Sequence, residues 1–108
     1  MNKLIQQFVA ATNAFDVEAA LVLFAPDAVI DDESVGEKFV NTAGVRTYLE
    51  DYFVRYHTVS KLESVVVSDA RHAKAQLDFT GDFGHETGAL NITTNADGLI
   101  VAIEANLD

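Results

Sequence analysis

Apolar residues recur along the first fifteen positions at Leu4, Ile5, Phe8, Val9, Ala11 and Phe15. That spacing predicts a helix with one greasy stripe, and Gln6, Gln7 and Asn13 fall mostly on its other side. Asp16 is placed to cap a second, short helix, Glu18 suits the positive end of the helix dipole, and Ala19 to Phe24 tolerate helix. The only proline, Pro26, predicts a stop near Ala25. Ala28-Val29-Ile30-Asp31-Asp32 then reads as a strand running into acid, followed by a loop through Ser34 and Gly36 to Lys38. A third helix opens near Asn41 or Thr42, either able to cap it. It carries Val45, Tyr48, Leu49, Tyr52, Phe53 and Tyr56 on one face.

After His57 the period changes from helical to two. Leu62 to Val67 is rich in β-branched residues, and Ala73, Ala75, Leu77 and Phe79 alternate with His72, Lys74, Gln76 and Asp78. Turn residues at Asp82–His85 and Asn95–Gly98 link strands at about 71–83, 86–95 and 98–107. The predicted order is ααβαββββ. Helices early and strands late indicate an α+β fold, with three helices from the N-terminal half packed on one face of a curved antiparallel sheet. No repeat or linker divides residues 1–108, so a single domain is expected.

Composition narrows the function. With 7 basic against 17 acidic side chains the formal charge is −10, which disfavours nucleic acid and anionic membrane surfaces as partners. The absence of cysteine removes disulfides, thiolate metal sites and a cysteine nucleophile. Glutamines interrupt the apolar start, so no signal-peptide pattern is read, and no apolar run reaches spanning length. A cytoplasmic protein is the expectation.

Three stretches, Phe8 to Asp16, Leu23 to Asp32 and Gly44 to Leu49, resemble the nuclear-transport-factor-2-like (NTF2-like) superfamily, in its SnoaL-like and ketosteroid-isomerase-like branch. The resemblance implies a cone: a strongly bent sheet wrapped round the helices, with a deep apolar pocket. It also implies that two copies often pair through the sheet, so a homodimer is one expectation. The same cone hosts several unrelated reactions, and individual pocket positions must decide the function.

Lined up with the isomerase, Asp32 falls at the place of its proton-shuttling aspartate. A carboxylate in an apolar hollow loses hydration and becomes a stronger base. The phenol and carboxylic acid that would stabilise an enolate are replaced by Phe8 and Leu90, which have no proton to give. Strand parity places Leu77, Phe79, Leu90, Ile103 and Leu107 toward the pocket, with Phe8 on the first helix. Thr12, Tyr48 and Tyr52 are the polar candidates beside Asp32. The ligand implied is a hydrophobic small molecule.

Other constellations are weaker. Adjacent residues of Asp31-Asp32-Glu33 point opposite ways along a strand, so no metal site is expected, and no cofactor is implied. His57 suits the end of the third helix, His72 the polar strand face and His85 a turn, although a dyad of His57 or His85 with Asp32 is an alternative. Two readings follow. One is isomerase- or cyclase-like proton abstraction with Asp32 as base; the other is a non-catalytic binding or association module whose cone is simply core.

Overall fold

The computed structural model describes residues 1–108. Helix α1 (Asn2–Asn13) buries Ile5, Phe8, Ala11 and Thr12, the stripe that its periodicity predicts. Phe15 takes a positive φ of 56° as the chain turns into α2 (Val17–Leu21). Asp16 caps that helix, its carboxylate accepting the Ala19 N–H at 3.1 Å. The helix ends at Leu21, four residues before the stop expected at Ala25, and the next strand, β1 (Phe24–Asp32), already contains Pro26. Proline is tolerated there because the pairing of β1 shifts register between Phe24 and Val29, leaving no ladder bond for the missing N–H.

The segment read as a loop holds a short strand, β2 (Glu37–Val40), folded back on β1 through Gly36 at φ +73°. Helix α3 (Asn41–Leu49) follows directly. Asn41 accepts the left-handed conformation at φ +61°, and its side-chain oxygen accepts the Ala43 N–H at 3.0 Å. α3 runs on into a π-helical turn (Glu50–Val54), and the chain then forms β3 (Val59–Asp69), β4 (His72–Gly81), β5 (Gly84–Thr94) and β6 (Ile100–Leu107).

Six strands form one curved open sheet in the order β2-β1-β6-β5-β4-β3. Every pair is antiparallel except β1 with β6, which brings the first long strand beside the last. Ile5 on α1, Val45 and Leu49 on α3, and Ile30, Leu77, Ile92 and Ile100 on the sheet are fully buried together. Simple alternation with Ile103 would turn Ile100 outward. The register shift between Thr93 and Thr94 turns it inward. No helix is long and apolar enough to cross a membrane.

One polar clamp fixes α1 to the sheet. The Asn13 carboxamide donates to Ser60 O at 2.9 Å and accepts the Ser60 N–H at 2.7 Å, satisfying backbone on the edge strand β3. Replacing Asn13 with Ala removes both partners at once. The expected loss is roughly 2 kcal/mol, read as a lower urea midpoint with an unchanged slope.

Candidate functional site

β1 alternates inward at Ala28, Ile30 and Asp32, and its last residue therefore carries a carboxylate into the core side of the sheet, only 7% exposed. The neighbours of Asp32 on either side are Glu37 of β2 and Ala105 of β6, so its backbone is held from both flanks. Its charge is held by three donors. Oδ1 accepts the Ser34 N–H at 3.0 Å and the Ser34 hydroxyl at 2.6 Å. Oδ2 accepts the Tyr48 hydroxyl at 2.7 Å across the gap between sheet and helix.

Tyr48 begins an aromatic wall. Its ring lies 5.2 Å from that of Tyr52, which stacks at 6.4 Å on Tyr56, which in turn meets Phe83 edge-on at 6.2 Å and 76°. Along an α-helix, residues four apart drift by about 40° per step, since a turn takes roughly 3.6 residues. The π-helical turn, with bonds such as Arg55 N–H to Glu50 O at 2.9 Å and Thr58 N–H to Phe53 O at 2.8 Å, holds more residues per turn and offsets that drift. All three tyrosines consequently line one cavity.

That cavity encloses about 260 Å³ and opens to solvent. Asp32, Ser34 and Tyr48 form one part of its wall, and Phe53, Phe79 and Leu90 supply hydrocarbon. Tyr52, Tyr56, Phe83 and Glu86 also line it. Glu86 stands opposite Phe79 in the β4–β5 ladder. Gly81 lets the wall close, because a Cβ there would sit 2.8 Å from both the Phe83 ring and the Tyr56 carbonyl oxygen.

Of the wall residues expected from sequence, Asp32, Tyr48, Tyr52, Phe79, Leu90 and Leu107 line this cavity. Phe8, Thr12, Leu77 and Ile103 do not. Phe8 packs edge-on against Phe24 and Phe53, and the Thr12 hydroxyl turns back to donate to Val9 O at 3.1 Å. Leu77 and Ile103 are core residues beneath the helices. Parity is sound for the face of the sheet but cannot say which part of that face the helices cover. Ser34, Phe53, Thr58, Phe83, Glu86, Ala89 and Asn106 join the wall without having been picked out, whereas Ala105 joins it as strand parity expects. For Ser34 a signal existed, since Asp-x-Ser favours an Asx turn.

None of the three histidines reaches Asp32. His57 pairs with Asp82 at 2.9 Å, His72 with Asp69 at 2.9 Å and His85 with Asp78 at 2.6 Å, all outside the cavity wall. The dyad of His57 or His85 with Asp32 is therefore not assembled. No cluster of three metal-ligating side chains is present either.

Comparison with known proteins identifies the family and the fold. Residues 5–103 match the family profile of the SnoaL-like domain. Among curated proteins, none matches the sequence. A Kribbella flavida protein named as a candidate ketosteroid isomerase superposes with a TM-score of 0.86 at 15% identity, over 98% of this chain and 76% of that one. A Sinorhizobium meliloti protein named as a candidate polyketide cyclase gives 0.85 at 23% identity, over 95% and 93% of the two chains. A Mycobacterium tuberculosis protein in complex with estradiol-17β-hemisuccinate gives 0.83 at 21% identity, over 94% and 88%. At these identities the likeness shows the fold alone.

Burial pushes the Tyr48 phenol well above its usual 10.0, and the neighbouring Asp32 charge, the hydrogen bond to it and Tyr52 push the same way. Tyr48 thus stays protonated and remains a donor to Asp32. Because the folded value is raised, this stabilisation is complete below about pH 10 and is lost as pH rises through the folded value. In Tyr48→Phe the ring is kept and the donor lost. Stability at neutral pH should drop by roughly 2 kcal/mol, and the alkaline decline that begins near pH 10 should flatten, both read by urea unfolding from pH 7 to 11.

Proposed function

This chain belongs to the SnoaL-like family, and on that footing we propose that it acts as a single domain over residues 1–108, binds a hydrophobic small molecule in its cone and abstracts a proton beside that molecule's carbonyl group, with Asp32 as base. The observation that carries this reading is a buried carboxylate on the wall of an open cavity of about 260 Å³. A collapsed cone would have no room for a guest. This volume is slightly below the range of roughly 300–1,000 Å³ common for ligand pockets, which favours a molecule of two or three rings. That the Mycobacterium tuberculosis neighbour is in complex with estradiol-17β-hemisuccinate supports an apolar ligand body, and leaves the ligand's charge to this chain's own wall.

The hydrogen bonds assign different tasks to the two oxygens of Asp32. Oδ1 is engaged by two donors from Ser34, whereas Oδ2 accepts only from Tyr48 and keeps a lone pair for an incoming proton. In the proposed step the C–H bond beside the carbonyl breaks, its electron pair moves into the carbonyl as an enolate, and the proton passes to Oδ2. Return of that proton to a different carbon completes an isomerisation. Tyr48 serves as the positioning residue that aims Oδ2. Phe8 and Leu90 offer no proton to the enolate oxygen, and the phenols of Tyr52 and Tyr56 on the wall supply donors instead. Burial, then the charges of Glu37 and Asp51, the Tyr56 phenol and Asp32 all raise the Tyr52 phenol, so it too stays protonated.

A second reading, binding without turnover, is favoured by the presence of Phe8 and Leu90 where the isomerase has donors. Exchange of the α-hydrogens of 2-tetralone in D₂O, followed by proton NMR, separates the two. Wild type should accelerate exchange, and Asp32→Asn should slow it by about 100-fold or more while affinity for 2-tetralone changes far less. Saturable binding with no exchange above buffer leaves only the second reading. Absence of binding by any apolar probe defeats both.

A further inference from the structure

The cavity wall contains no lysine, arginine or histidine. It contains two carboxylates, Asp32 and Glu86, and six aromatic rings, those of Tyr48, Tyr52, Phe53, Tyr56, Phe79 and Phe83. Aromatic faces carry negative partial charge, and rings meeting at an angle attract a cation from two sides. Tyr56 and Phe83, both partly exposed, form such a corner at 76° where the cavity meets solvent. Tyr52 is stacked beside Tyr56; burial raises its phenol, and the negative charges of Glu37, Asp51 and Asp32 push the same way. The whole chain adds a formal charge of −10, which draws cations toward the cavity and repels anions.

Resting on the reading that the cone binds a hydrophobic small molecule, we infer that the molecule is a hydrophobic cation: a substituted amine or quaternary ammonium whose charged nitrogen lodges among Tyr52, Tyr56 and Phe83 beside Glu86, with its apolar body against Phe53, Phe79 and Leu90. Apolar burial supplies the general affinity. Charge selects among ligands of the same shape, and hydrophobic anions are rejected by Asp32 and Glu86, neither of which has a cationic side chain on the wall to offset it.

Three naphthalene probes test this: (2-naphthylmethyl)trimethylammonium, its neutral carbon isostere 2-neopentylnaphthalene, and 2-naphthylacetate. Binding is read from naphthyl fluorescence, which no tryptophan obscures in this chain. The cation should bind about tenfold tighter than its neutral isostere, as expected for a charge placed against several rings, and the anion weakest of the three. Glu86→Gln, an exposed substitution compatible with folding, should weaken the cation severalfold more than the neutral probe. A merely structural role would weaken both alike. If the neutral probe binds as tightly as the cation, the charge inference is overturned while hydrophobic binding stands. If none of the three binds, both fall together.

Discussion

The hydrogen bond between the Tyr48 hydroxyl and Asp32 Oδ2, 2.7 Å long, is the constraint on which the site depends. A carboxylate 7% exposed at the end of a strand is costly unless its charge is compensated, and here the compensation comes from two directions. Ser34 supplies it locally, through a turn that any Asp-x-Ser segment can make. Tyr48 supplies it from α3, sixteen residues away, and so ties the helix to the sheet. The same carboxylate lines a cavity, which turns a structural requirement into a chemical opportunity.

Space around that carboxylate exists because the helices cover only part of the sheet's concave face. Where α1 and α3 lie on it, Leu77, Ile92 and Ile103 are sealed in the core. Beyond them, the side chains of the π-helical turn and of the β4–β5 hairpin stand apart as walls. The hairpin docks through the Asp82 N–H on Tyr56 O at 2.8 Å, and Gly81 allows that approach because a side chain there would strike both Tyr56 and Phe83. These backbone contacts place the exposed Tyr56 and Phe83 rings together on the cavity wall.

Much of this architecture was legible in the residue pattern. The stripe of α1, the cap at Asp16, the amphipathic α3 and the alternation from His72 onward each follow from a period of 3.6 or 2, and the resemblance read from Phe8, Leu23 and Gly44 onward named the fold. Expectation and structure part where a single local signal meets a tertiary constraint. Pro26 predicts a helix stop, yet the strand absorbs it in an irregular pairing. Ile100 is turned inward by a register shift that alternation cannot reveal.

The site divides in the same way. Sequence alone determined that Asp32 shares a face with Ala28 and Ile30, because strand geometry forces every second residue to one side, and that Tyr48, Tyr52 and Tyr56 share a face of a helix, because helical geometry does the same. Only the tertiary structure decided that these two faces meet, that Tyr48 rather than a histidine answers the carboxylate, and that Phe8 and Thr12 fill core while Phe83 and Glu86 line the cavity. Periodicity acts within one element. Which elements touch, and where they leave a gap, is set by packing between segments far apart in the chain.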